Sequence, residues 1–136
     1  DTNVLDLGTG SGILAIIASK LGAQSVDAVD IDSLAVKVAE ENCAINGCSN
    51  IKCYTGELKS VENAPYDLIV ANIIADVIAE IAVDIPADLA DDGVLVCSGI
   101  INTKKERVIE ALEKAGMKII GEESKNDWMA YICKKA

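Results

Sequence analysis

The run Val4-Leu5-Asp6-Leu7-Gly8-Thr9-Gly10-Ser11-Gly12 constrains this chain more than any other feature. Residues 4–7 read as a short strand that runs into three glycines at alternate positions. Ile13, Leu14, Ile17 and Leu21 then recur at helical spacing up to Gly22. Strand, glycine loop and helix in that order open a βαβ unit, and the loop falls at the carboxyl end of the sheet, where open α/β folds bind ligands. Glycines there let backbone N–H groups approach a ligand closely.

The rest of the chain extends the same alternation, so the predicted class is α/β with a mostly parallel sheet. Strands are predicted over residues 25–30, 51–55, 67–72 and 93–98. Asp32 or Ser33 caps a helix through Ile45, with Leu34, Ala35, Val38 and Ala39 on one face and Asn46-Gly47 stopping it. Another helix is predicted over 76–89, with Val77, Ile78, Ile81 and Ile85 inward and Pro86 bending or ending it. Thr103 and Glu106 have the spacing of a capping box before Val108, Ile109 and Leu112. Residues 117–123 and 128–133 lack an intervening helix and are expected to pair antiparallel, with Trp128 in core or rim packing.

Charge and composition narrow the chemistry. Histidine is absent, which removes catalytic triads, Cys-His dyads and His-based zinc sites. Twelve basic and 22 acidic residues give a net charge of −10, so a phosphate backbone is repelled and no direct nucleic-acid binding is expected. Residues 1–100 carry net −12 and residues 101–136 net +2, an acidic body suited to a cationic partner. Cys43, Cys48, Cys53, Cys97 and Cys133 include no C-x-x-C pair, and no secretory signal is present, as fits reduced thiols in a cytoplasmic protein. The apolar runs are shorter than the ~20 residues of a membrane helix. With 136 residues the chain is one domain. Because the first strand begins three residues from Asp1, residues 1–136 are expected to be the C-terminal part of a longer protein.

The glycine loop departs from the dinucleotide fingerprint, being G-x-G-x-G with an acid, Asp6, two residues before Gly8. A carboxylate there disfavours a pyrophosphate but suits the amino group of a methionine moiety, held directly or through water. That points to S-adenosylmethionine, bound by Asp6, Gly8, Thr9, Gly10 and Gly12. Asp30, at the end of the second strand, can accept from both ribose hydroxyls; Ile31 can pack on adenine, and Glu57 can accept from its amino group. Asn72, ending the fourth strand, can orient an amine through its side-chain oxygen. The other reading of Asn72 is a cap on the next helix, with Asp76 as a rival cap.

Residues 4–12, Val29-Asp30-Ile31-Asp32 and Ala71-Asn72-Ile73-Ile74-Ala75 together resemble the class I S-adenosylmethionine-dependent methyltransferases, and the last motif is similar to the PrmA family. The resemblance covers essentially the whole chain. It implies a Rossmann-like, seven-stranded sheet in the order 3-2-1-4-5-7-6 with the last strand antiparallel. It further implies methylation of amines, lysine side chains or the N-terminal amine, on a large-subunit ribosomal protein. Asn72 would be the catalytic residue, also touching the cofactor. In that family an N-terminal domain recognises the ribosomal protein. A methyltransferase of small molecules or nucleic acid, a binding module without activity, and a dinucleotide enzyme with an irregular fingerprint remain as alternatives.

Overall fold

The computed structural model describes residues 2–136. One sheet contains β1 (Asn3–Leu7), β2 (Ser25–Asp30), β3 (Ile51–Thr55), β4 (Tyr66–Asn72), β5 (Leu89–Ile101), β6 (Met117–Lys125) and β7 (Trp128–Lys135). Their order is β3-β2-β1-β4-β5-β7-β6, as the resemblance implies. β1 lies parallel to β2 and β4, β2 to β3, and β4 to β5, while β7 is antiparallel to both β5 and β6. Only β7 therefore runs against the rest. The helices are α1 (Ile13–Lys20), α2 (Ser33–Ile45), α3 (Ala75–Ile81), α4 (Ile85–Asp88) and α5 (Lys105–Lys114). Among the described residues no helix is long and apolar enough to cross a membrane.

The central strands are apolar on both faces because each face has a core. The larger one joins Leu5, Ile69, Leu95 and Tyr131 of the sheet to Ile78, Ile85, Val108 and Leu112 of the helices; the smaller holds Val4, Ala15, Val26 and Ala28. Asp32 caps α2 as predicted, accepting from the Leu34 amide at 2.9 Å.

Four local expectations are corrected. α1 buries Ala15, while Ile13, Ile17 and Leu21 are largely exposed. α2 buries Val36, Ala39 and Cys43, leaving Leu34 outside. Ala15 packs on Val4, Val26 and Ala28 of the sheet, and the start of α1 approaches α2 closely. A Cβ built on Gly12 would stand 3.1 Å from the Ala39 Cβ, so small residues fill the contact and the larger ones turn outward.

The predicted 76–89 helix is broken. A 3-10 turn over Ala82–Asp84 separates α3 from α4, Pro86 occupies the first turn of α4 where its missing N–H costs nothing, and β5 starts at Leu89. The Thr103 capping box is not formed either. The chain makes a 3-10 turn over Asn102–Lys104, and α5 begins at Lys105 without a side-chain cap. Trp128 sits on the rim, 53% exposed.

Candidate functional site

The glycine loop follows β1 and is tied down from β2. The Val29 carbonyl accepts from the amides of Gly8 (2.8 Å) and Thr9 (3.0 Å), and Asp30 Oδ2 accepts from the Gly10 amide at 3.0 Å. Asp30 Oδ1 accepts from the Asp32 amide at 3.0 Å, so one carboxylate fastens the loop and the start of α2. Gly8 has φ +78°, and a Cβ there would collide with Ile73 and stand 3.2 Å from the Asn72 carbonyl oxygen. Glycine is required where the β1 and β4 loops meet.

Between those loops and the ends of β2 and β3 opens a cavity of about 470 Å³. It brings together Gly8, Asp30, Ile31, Glu57 and Asn72 of the predicted residues. Thr9, Gly10, Gly12 and Asp6 are not among its lining residues. Asp6 is 1% exposed; its Oδ2 accepts from the Thr9 hydroxyl at 2.8 Å, while its buried Oδ1 has no hydrogen-bond partner. Burial pushes its carboxyl up, against the lowering pull of Thr9. The solvent-sealed position of Asp6 differs from that of an acid open to a ligand beside the glycines.

Glu57 opens the short turn Leu58–Ser60 in a capping box with Ser60. Its exposed carboxylate pairs loosely with Lys59 at 3.5 Å. Ile31 is 76% exposed at the mouth. Asn72 does not cap α3, whose N-cap is Ile74 without a side-chain hydrogen bond; neither does Asp76. Asp76 instead accepts from Lys104 Nζ and Arg107 Nη1, both at 2.7 Å, which joins α3 to α5. Lys104 chiefly, then Arg107, holds its carboxyl below the usual carboxylate range. Lys104 and Arg107 thus form an ion-pair clamp with Asp76.

Sequence reasoning did not single out Leu58, Ile73, Ile74 and Glu80, which line the cavity too. Ile73 and Ile74 belong to the fourth-strand motif and carried a signal as such. Val77 and Ile81, expected inward, line the same cavity, their apolar spacing serving a ligand wall as readily as a core.

A mostly parallel sheet with this order, a glycine loop at its reversal point and an acid ending the next strand defines a Rossmann-like fold. A methyltransferase of Aquifex aeolicus shares that fold at TM-score 0.82 with 18% identity, over 97% of this chain and 81% of that one. The chain belongs to the ribosomal protein L11 methyltransferase (PrmA) family, whose model matches residues 1–136. A ribosomal protein L11 methyltransferase of Ruminiclostridium cellulolyticum is 47% identical over 138 aligned residues, and one of Clostridium perfringens 42% over 134. Each alignment takes in 98% of this chain and 43% of the relative, so the chain spans less than half their length. The solved ribosomal protein L11 methylase of Lactobacillus delbrueckii subsp. bulgaricus superposes at TM-score 0.94 with 37% identity, covering 98% of this chain and 70% of that one.

Proposed function

We propose that residues 1–136 are the S-adenosylmethionine-binding catalytic unit of a cytoplasmic enzyme that methylates amines of a large-subunit ribosomal protein, L11 as in the named relatives. The observation that carries this reading is the cavity at the sheet's reversal point, where Asp30 and Asn72 face one space. Its residues fit the cofactor on three counts. The Asp30 carboxylate has lone pairs left for ribose hydroxyls after its two backbone bonds. Ile31, Leu58 and Ile73 offer apolar surface to a flat base. The amide-rich loop held over buried Asp6 suits the methionine end. Recognition of the ribosomal protein is assigned to parts of the longer relatives that this chain does not match.

When bound, S-adenosylmethionine supplies a methyl group on a cationic sulfonium, which departs as a neutral thioether. The protein's task is then to hold a neutral amine in line with that methyl group. Asn72 Oδ1 accepts an N–H bond from the amine and aims the nitrogen lone pair. As the N–C bond forms, the nitrogen becomes positive and afterwards loses a proton to water. Asp76, already engaged by Lys104 and Arg107, is a weaker base for that proton than a free carboxylate.

Calorimetry with S-adenosylhomocysteine and with NAD tests the cofactor: the first is expected to bind and the second not. In the chain joined to the part of its longer relatives that it does not match, Asn72→Ala is expected to slow methyl transfer to ribosomal protein L11 by ~2–4 kcal/mol of transition-state stabilisation, with cofactor affinity and melting temperature nearly unchanged. Parental turnover in the folded variant would remove Asn72 from the reaction.

A further inference from the structure

Methyl transfer leaves the cysteines unused, and two of them touch. Cys43, in the last turn of α2, and Cys53, in the middle of β3, are ten residues apart in sequence, with their sulfurs 3.9 Å apart. Both thiols are free. Cys43 is buried, and Cys53 is half-buried against the smaller core of Val4, Ala15, Val26 and Ala28. The Cys48 thiol, in the turn between them, donates instead to the Asn46 carbonyl at 3.8 Å. Cys97 and Cys133 are fully buried on β5 and β7, where they pair with Tyr131 and Leu95 and not with each other. Among the described residues no third metal-ligating side chain joins Cys43 and Cys53, so the pair is a dithiol and not the core of a metal centre.

The two elements that the pair joins also hold the glycine loop and its neighbour Asp30. α2 sets Ala39 against Gly12, and Asn42 Nδ2 donates to the Ser11 carbonyl at 2.8 Å from the position next to Cys43. β3 ends at Thr55, and the following Gly56 amide donates to the Asp30 carbonyl at 2.9 Å. A covalent link between Cys43 and Cys53 would restrain the half of α2 that props the loop.

We propose that Cys43 and Cys53 are a site of reversible oxidation, forming a disulfide that ties α2 to β3 when a peroxide reaches the protein. The more accessible Cys53, as thiolate, attacks one oxygen of hydrogen peroxide. The O–O bond breaks, Cys53 becomes a sulfenic acid, and the departing hydroxide takes up the proton the thiol gave, as water. Cys43 then attacks the sulfenic sulfur. The S–S bond forms, the S–O bond breaks, and the second hydroxide leaves as water with the Cys43 proton. The two thiols give up two electrons and the peroxide gains them; a reducing dithiol returns them by exchange. Burial first, then the Cys43 sulfur, pushes the Cys53 thiol up to about 12, so thiolate is scarce at neutral pH and the first step is slow. Contact selects the partner: with Cys43 already beside it, capture of the sulfenic acid outruns a second oxidation.

The test treats the reduced chain with hydrogen peroxide, blocks the remaining thiols with N-ethylmaleimide and maps its peptides by mass spectrometry without reduction. The expected product has lost two hydrogens, joins Cys43 to Cys53 and reverts with dithiothreitol. Linking residues so close in sequence restrains the unfolded chain, so the melting temperature should rise by about 5–10 °C. Amide exchange over residues 39–46 should slow by about tenfold or more, while that of α5 stays as it was. Cys48→Ala should keep the link and the gain in melting temperature, and Cys53→Ala should lose both; Cys43→Ala serves if that variant does not fold. A link through Cys48, a sulfinic acid on Cys53 in place of a link, or an unchanged melting temperature after linking overturns the proposal.

Discussion

Asp30 does two jobs that substitution can separate. Its oxygens fasten the Gly10 and Asp32 amides, and the same carboxylate faces the cavity. Charge-assisted bonds are worth ~1.5–3 kcal/mol, so Asp30→Ala is expected to weaken S-adenosylhomocysteine binding by roughly 10- to 150-fold in calorimetry, and Asp30→Asn, which keeps one acceptor oxygen, by less. Unaltered affinity in the alanine variant would exclude Asp30 from the site. Asp6 makes the opposite kind of prediction. Its folded pKa is raised by burial, so the folded state holds the proton more tightly and stability falls as pH rises from the unfolded value near 4 through the higher folded one. Asp6→Asn removes that loss while keeping an oxygen for the Thr9 hydroxyl. It is expected to raise the melting temperature at pH 8 more than at pH 4, with only a modest loss of cofactor affinity. The sequence revealed the type and position of this acid. Its burial was hidden, because enclosure depends on how α1 and the loop pack above β1.

Among the elements, strands were more legible than helix faces. Every predicted strand is present, most plainly β1 and β2, short runs buried on two faces that need no choice of side. Helix faces do require that choice. Ile13, Ile17 and Leu21 look like a buried stripe, yet the tight contact at Gly12 and Ala39 turns α1 onto Ala15. The start of α5 was misread for a related reason: Lys104 extends to Asp76 on α3, a partner 28 residues away that no local pattern announces. That clamp yields a pH prediction. Asp76's folded pKa is lowered, so its contribution is present above the unfolded value near 4 and is lost as pH falls through the folded one. Unfolding curves of the parent should therefore lose more stability below pH 4 than those of Asp76→Asn. Parallel acid profiles would show that the exposed clamp contributes nothing measurable, as many surface pairs do.

At the scale of the molecule, the sheet separates the ligand cavity at its carboxyl end from a polar tie reaching its amino end. Asp27, only 4% exposed on β2, accepts from the hydroxyls of Tyr66 at 2.6 Å and Tyr54 at 2.9 Å, spanning β1 to join β3 and β4. The same hydroxyls accept from the Asn63 and Glu62 amides, which fixes the segment leading into β4. Burial pushes the Tyr54 phenol up to about 12, and the Tyr66 phenol up as well, so both remain donors at any working pH. Tyr66→Phe removes a short bond to a carboxylate and the acceptor for Asn63, with little change of shape. We expect it to lower the unfolding free energy by ~2 kcal/mol in denaturant titration. The segment's other end, at Glu57 and Leu58, is held separately by the Glu57–Ser60 capping box, so S-adenosylhomocysteine affinity should stay within about twofold of the parent's, the tie being outside the cavity. A large loss of affinity would mean that the segment between β3 and β4 transmits strain from the tie to the cavity as one rigid piece. An unchanged unfolding free energy would mean that Tyr54 alone satisfies Asp27.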